Sequence, residues 1–510
     1  MGRLITMVAN FSGNVVMTAL LCLIATAALF LVGRLRRSTF GFLSEFASAV
    51  LILARPVGVQ GNRRRGLSIQ VTDGRVAHRV LVQQSAAFLE HPANATPSTI
   101  LSRNRHCNIF SAPYGPFWRA ARRNMVTGVL HPSRFRLFQE TRGRVLGDLV
   151  RALKSGAPAG ESLHFPVYHI VAEMCFGKEV VVSKLGEAGL RAMHKLQRDM
   201  LLALPSFTAV VMYPRLGRLL YPSRWNQLLA FRRRQEEAFL PLVAEVRRMK
   251  ASRHGGCACT SYVESLLDLH ELAAGDDVQV TEGQIVSLIS EFLGNGGDST
   301  GAALEWTMAN LVNRPEVQEK LRAEINSIAG EHGVIEEAEL SRMPYLRAVV
   351  LESLRRHPTV PFVMRHVKDD SQEAAKALGM PYLPRGGATV NFLVGKISRD
   401  PAVWSDPMSF SPERFMPGGE GGELECTPDL TGTREIKMMP FGAGRRMCPG
   451  MSLALLHLQY FVANLVRKFE WLPADGGQAI DFTEYHGFPF TTMNRPLRAR
   501  LVPLAPQLAK

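Results

Sequence analysis

No cysteine framework holds this chain together. Its seven cysteines, at positions 22, 107, 175, 257, 259, 426 and 448, are odd in number and spread over 510 residues. That pattern excludes the disulfide scaffold of a small secreted domain and fits a reducing compartment. Cys257 and Cys259 are the only close pair; they lack C-x-x-C spacing and sit in a Gly-rich loop, so they read as bystander thiols. Internal repeats are absent, and low complexity is limited to the short Gly-rich stretch from Pro417 to Gly422. No basic block is interleaved with aromatics, which argues against a nucleic-acid groove. Acidic residues are the scarcer sign: 45 Asp and Glu against 60 Lys and Arg leave a formal charge of +15. Such an excess suits an anionic membrane surface or an acidic protein partner.

Long uncharged runs are rare, but one is present. Leu4 to Gly33 carries no charge, and Val15 to Val32 is apolar apart from two threonines. Arg34, Arg36 and Arg37 follow at once. The run is near the lower limit for crossing a bilayer, and the basic flank would keep the following chain in the cytosol. A cleaved signal peptide is the rival reading, because Ala25-Thr-Ala27 has cleavage-like spacing. However, a signal peptide carries its charge ahead of the apolar run, and here only Arg3 precedes it. The anchor is the better reading.

The remaining periodicity is mostly helical. Short helices are expected from Trp118 to Val126 and from Pro344 to His357, and a long amphipathic one from Leu228 to Lys250, kinked at Pro241. Alternation near Leu67–Val71 and Thr389–Leu393 predicts two strands. The segment after Val280 stands out. Thr281-Glu-Gly-Gln284 is a capping box, and apolar periodicity then continues to Asn313-Arg-Pro315, about eight turns. Midway lies Gly294-Asn-Gly-Gly-Asp-Ser-Thr300. Glycines there weaken a helix by about 1 kcal/mol each, so they either admit a close neighbour or let the helix open.

Cys448 carries the sharpest chemical signal. It precedes Pro449, Gly450 and an apolar helical run from Met451 to Phe469. Pro at a first helical turn would place Cys448 at or just before the helix N-terminus, where the dipole lowers a thiol's pKa. Gly442 and Gly444 allow a tight turn, and Arg445 and Arg446 offer positive charge to an anionic group. A reactive nucleophile is the alternative, although no His/Asn pairing is suggested. The partial G-x-G pattern at Gly442 is a poor dinucleotide signal, since no strand leads into it.

Phe441-x-x-Gly444-x-Arg446-x-Cys448-x-Gly450 matches the haem-binding signature of the cytochrome P450 superfamily. Glu352-Ser-Leu-Arg355 resembles its E-x-x-R element and Pro412-Glu-Arg-Phe415 its P-E-R-F element. The resemblance implies a buried network of Glu352, Arg355 and Arg414. It implies Cys448 as axial ligand of a haem b, and Trp118, Arg122 and Arg365 as groups reaching the haem propionates. Without Cys448, Trp118 and Arg122 would read as a surface helix with one buried aromatic. Asn295-Gly-Gly-Asp-Ser-Thr300 resembles the family's A-G-x-D-T-T segment, with Asp298 and Ser299 as an acid–alcohol proton relay and Thr300 as a possible stand-in. Asn295 and Ser299 depart from the usual Ala or Gly and Thr; serine keeps the hydroxyl but loses the methyl that fixes its rotamer.

Further stretches, including Ser111-Ala-Pro-Tyr-Gly-Pro-Phe-Trp-Arg and Leu130-His-Pro-Ser-Arg, resemble plant families 77 and 89, nearer to 89. The likeness spans about residues 65–505. It stops near the anchor, where relatives have a Pro-rich hinge and Arg34–Arg65 has only Pro56.

The expected fold is therefore mainly α with minor β. The haem would lie between the long central helix and the Cys-ligand loop, and one transmembrane helix would precede the catalytic unit. Residues 1–37 would be the anchor and 38–510 the haem-thiolate domain. The implied activity is a monooxygenase of the endoplasmic reticulum membrane facing the cytosol. It would use O2, a hydrophobic small-molecule substrate, membrane lipid and NADPH-cytochrome P450 reductase, and no nucleic acid. Arg122, Arg123, Lys437 and Arg445 would suit docking to an acidic partner, or are simply solvated charges. A haem-thiolate isomerase or dehydratase and a non-catalytic haem protein are the alternatives. The substrate pocket would be lined by segments 98–113, 290–297, 359–364 and 488–492.

Overall fold

One helix, Glu282–Asn313, sets the layout of a computed structural model that describes residues 57–504 apart from 61–66, 93–96, 102–107, 253–260, 273–279, 330–332, 369, 384–385, 422–428, 475–478 and 488. At 32 residues this central helix is about 48 Å long. Its capping box forms in full: Thr281 N–H donates to Gln284 Oε1 at 2.8 Å, and Gln284 N–H donates to Thr281 Oγ1 at 3.3 Å. From Gly301 to Val312 every residue is buried, so this half is a core helix without a wet face. It ends before Pro315, which opens the next helix, Pro315–Ile328.

The glycines midway along it serve close packing. A Cβ on Gly301 would lie 2.9 Å from His164 Cα, and one on Gly297 would lie 2.9 Å from Tyr168 Cδ2 and 3.2 Å from Tyr168 Cα. Helix His164–Phe176 thus presses its backbone into the stripe formed by these two residues, four apart on one face. Gly294 is different, since a Cβ there would meet only Leu201 Cδ1 at 3.6 Å.

The sheet content is minor. Strands β1 (Val57–Gln60), β2 (Leu67–Val71), β3 (Phe362–Val367) and β4 (Ala388–Leu393) form one sheet in the order β1-β2-β4-β3. The β2–β4 pair is parallel, with Leu67 opposite Ala388, and the other pairs are antiparallel. Alternate residues Ile69, Val71, Val390 and Phe392 enter a satellite core. Strand β5 (Phe469–Pro473) pairs with β8 (Ala499–Pro503), and β6 (Glu484–Gly487) with β7 (Phe490–Met493).

The expected strand at Leu67–Val71 is present, and the second begins one residue early, at Ala388. Periodicity missed β3 and the two C-terminal pairs. The Trp118 helix runs from Pro116 to Gly128, and the long amphipathic helix starts earlier than expected, spanning Pro222–Ser252 with Pro241 inside it. Both start at prolines, which pre-set φ for a first turn. The expected membrane span and its flank to residue 56 lie outside the described residues. Among the described residues no single helix is long and apolar enough to cross a membrane.

Two substitutions test the glycine stripe. Gly301→Ala should destabilise the fold by about 1–3 kcal/mol through overpacking against His164. Gly294→Ala should be neutral or stabilise by about 1 kcal/mol, as ordinary helix propensity dictates. Chemical denaturation of both variants reads the contrast.

Candidate functional site

Cys448 sits on a closed turn ahead of helix Met451–Lys468. Its N–H donates to Phe441 O at 2.8 Å. Gly442 and Gly444 within the turn have φ of +70° and +73°, and a Cβ on Gly444 would lie 2.0 Å from Leu81 O. Only glycine fits such a position. The helix begins at Met451 with Gly450 as its cap, so Pro449 stands ahead of the first turn and is not its first residue. This corrects the expectation from the sequence. Burial raises the Cys448 thiol, and the Gly450 N–H and Arg122 offset it only in part. Cys448 nonetheless keeps exposed surface as a residue.

Cations gather at this turn. Arg122, one turn after Trp118 on the same helix, donates through Nη2 to Met447 O at 2.6 Å. Arg446 donates to Leu89 O at 2.5 Å and Ala112 O at 2.7 Å, and its guanidinium lies 5.0 Å from the Trp118 ring centroid. Trp118 Nε1 donates to Ile109 O at 3.1 Å. Arg365 on β3 is buried and donates to Met364 O at 2.7 Å and to His91 Nε2 at 3.0 Å. Burial and Arg446 lower Arg365 to about 9. Burial, Arg365 and Arg446 hold His91 well below its ordinary range, so its Nε2 accepts. Among the described residues, none of Arg122, Arg365 and Arg446 has a carboxylate within ion-pair distance. Buried cations in that state fit an anionic ligand, and carboxylates match the guanidinium fork.

On the central helix Asp298 and Ser299 diverge. Ser299 Oγ donates to Asn295 O at 2.5 Å, one turn back on a face where Asn295 is exposed. Asp298 is buried, with Oδ1 3.4 Å from His194 Nε2 and Oδ2 without a hydrogen bond. Thr300 is buried. One turn before Asn295, Glu291 accepts the N–H groups of Ile109 at 2.8 Å and Phe110 at 2.7 Å. Burial raises Glu291 to about 7 against these two donors. Sequence reading found neither Glu291 nor His194, because their partners lie far off in the chain and neither belongs to a motif.

Glu352, Arg355 and Arg414 do come together. Arg355 Nε and Nη2 donate to the two Glu352 oxygens at 2.6 and 2.9 Å, and both residues are fully buried. Ser411 N–H also donates to Glu352 Oε1 at 2.9 Å. Arg355 Nη1 reaches Pro407 O at 2.8 Å. Arg414 is the looser member: its Nε is 3.4 Å from Glu352, while Nη1 bonds Glu420 and Nη2 bonds Asp406 O. Glu420 is a fourth member that the short motifs do not contain.

This geometry describes a cysteine on a hydrogen-bonded turn with arginines beside it, and a long helix that carries an acid and an alcohol. Among the described residues no three His, Cys, Asp or Glu side chains could hold a metal together. The donor set thus fits a macrocyclic cofactor with carboxylate arms and one thiolate ligand. The sequence profile of the cytochrome P450 family matches residues 67–498, and the chain belongs to that family. It is 38% identical to Cytochrome P450 89A9 of Arabidopsis thaliana over 86% of this chain and 84% of the relative. It is 28% identical to Flavonoid 3'-monooxygenase of the same plant, over 79% and 76% of the two chains. A zebrafish cytochrome P450 solved with abiraterone superposes with a TM-score of 0.69, covering 88% of this chain and 97% of that one at 21% identity, and so shares its fold. The protein is accordingly a monooxygenase of the family that binds haem b and incorporates oxygen from O2.

Arg355→Met should destabilise the fold by about 3–5 kcal/mol, since it leaves the Glu352 carboxylate buried without its main partner; chemical denaturation measures this. Glu291 generates a pH dependence. Folded, it keeps its proton up to about pH 7, while an unfolded glutamate releases it near about 4.3. The folded state binds more protons across that window, so its stability falls as pH rises from about 4.5 to about 7. Glu291→Gln should remove up to about 3 kcal/mol of that dependence, read by denaturation at several pH values.

Proposed function

We propose that this chain is a membrane-anchored, reductase-dependent monooxygenase in which Cys448 is the axial thiolate of haem b. The observation that carries this reading is Cys448 on a glycine turn with Arg122, Arg365 and Arg446 nearby, none of which has a carboxylate within ion-pair distance among the described residues. These arginines, with Trp118 beside two of them, would hold the propionates. Phe441, Gly444 and Gly450 shape the ligand turn. The Glu352, Arg355 and Arg414 network steadies the neighbouring core. Haem supplies the activation of O2, one atom of which enters the substrate while the other leaves as water.

The protein's own part is positional. The Cys448 turn would hold one face of the haem, and Asn295 and Ser299 of the central helix are assigned to the other. Asp298 and Ser299 are assigned to proton delivery, with Thr300 as the alternative hydroxyl. The Asn295 carbonyl fixes the Ser299 hydroxyl, which supplies part of the restraint that a threonine methyl would give. Substrate is taken to be a hydrophobic small molecule, hydroxylated or epoxidised. Half-buried Phe110, Phe362, Val363 and Phe490 support an apolar lining, and Thr491 N–H donates to Thr359 O at 2.7 Å to join two of the proposed lining segments. Phe488 lies outside the described residues.

Electrons are assigned to NADPH-cytochrome P450 reductase at the endoplasmic reticulum. Exposed Arg123 and Arg445 support an acidic docking partner, whereas Arg122 is half-buried and turns one donor to the Met447 carbonyl. Exposed Leu202, Tyr213, Leu216 and Leu219, with Arg215 and Arg218 among them in sequence, support a catalytic unit that rests on lipid.

Cys448→Ser should abolish the thiolate-type CO-difference spectrum of the reduced protein. If that spectrum persists, Cys448 is not the ligand. Wild type should turn over substrate only with NADPH and the reductase; turnover without either would point to an isomerase or dehydratase. Ser299→Ala should lower product formed per NADPH consumed by about tenfold while the CO spectrum is kept.

A further inference from the structure

Asp298 has a neighbour that the acid–alcohol assignment does not use. Helix Gly186–Ala203 lays His194 against the central helix, with Nε2 3.4 Å from Asp298 Oδ1. Among the described residues neither His194 Nε2 nor Asp298 Oδ2 has a hydrogen-bond partner, and neither does the nearby Tyr168 hydroxyl. Unpartnered buried polar atoms are costly and mark sites where a proton or a water is exchanged. The placement is built. Gly297 lets Tyr168 pack against the central helix, and the Tyr168 ring supports the His194 ring with centroids 4.4 Å apart.

The surroundings leave His194 as the group suited to hand over a proton. From the central helix Asp298 faces it, and from helix His164–Phe176 Tyr168 does. Phe165 also packs on its ring, with the Arg191 guanidinium 4.0 Å from the Phe165 centroid and the His169 ring 5.9 Å away. His169 bonds Glu173. Burial and Asp298 hold the Tyr168 hydroxyl well above its ordinary range, so it keeps its proton. Histidine, by contrast, exchanges protons near neutrality. The His194 side chain is 12% exposed although Nε2 itself is buried, so recharging Nε2 requires the ring to turn toward solvent.

We propose that His194 is a positioning residue that supplies protons from solvent to Asp298, on its own helix's side of the central helix. In each transfer the Nε2–H bond breaks and an Oδ1–H bond forms. Imidazolium and carboxylate become imidazole and carboxylic acid, and the imidazole takes its next proton from hydronium or a buffer acid. The proposal rests on Asp298 and Ser299 acting as the relay.

The test uses full-chain holoenzyme with reductase in lipid nanodiscs, as wild type, His194→Gln, His194→Phe, Asp298→Asn and Ser299→Ala. Both His194 variants should lower product per NADPH by about tenfold and flatten its dependence between about pH 6 and 8. Glutamine keeps a hydrogen-bonding group but carries no proton, so full rescue by His194→Gln would overturn the proposal in favour of a structural role. The second readout is free of turnover: histidine NMR of the nitrogen-labelled, diamagnetic ferrous–CO form. The ring-nitrogen chemical shift of the signal lost in His194→Gln should differ between Asp298→Asn and wild type at one fixed pH, because the two side chains are neighbours. An unchanged shift would overturn the pairing, even if His194→Phe does not fold. If Asp298→Asn and Ser299→Ala both keep wild-type coupling, the relay itself fails. If they lose coupling while His194→Gln does not, only the role of His194 fails.

Discussion

The contact of the central helix with helix His164–Phe176 is the constraint on which the rest depends. Two missing side chains, at Gly297 and Gly301, let the helix backbones approach closer than any Cβ would allow. That approach seats Tyr168, which carries the His194 ring, beside Asp298. The same helix, two turns earlier, holds the 109–110 backbone through Glu291. Segment 109–112 is in turn held by Trp118 and Arg446. One buried rod thus sets the relation between the distal acid, the covering loop and the cysteine turn, because interiors this dense do not shift one element without its neighbours.

Charge is used in two opposite ways on either side of Cys448. Glu352 and Arg355 satisfy each other completely, and backbone groups at 398, 407, 409 and 411 take up their remaining capacity. That arrangement is closed and has nothing to offer a ligand. Arg122, Arg365 and Arg446 instead spend only part of their donors on backbone carbonyls and on His91, and burial lowers the pKa of each. Desolvated cations left without carboxylates are poised for an anion, and this difference in pairing separates scaffold from binding site.

Much of the site was legible in the chain. The turn around Cys448 could be read because glycines at 442 and 444 and the helix that follows are local features. The capping box at Thr281 and the partnership of Glu352 with Arg355, three residues apart on a helix, were legible for the same reason. Pro449 was placed wrongly because the choice between Pro449 and Gly450 as the boundary depends on how the turn closes onto Phe441.

What the sequence determined by itself was the set of local geometries: a Cys on a glycine turn, a capped long helix, and an acid beside an alcohol. What only the tertiary structure decided was where those groups point and whom they meet. Asp298 and Ser299 are adjacent in the chain, yet about 100° of helical rotation separates successive residues. That rotation sends Ser299 toward the Asn295 carbonyl and Asp298 toward His194 on another helix. Sequence spacing encodes the angle, but only packing supplies the neighbour at the end of it.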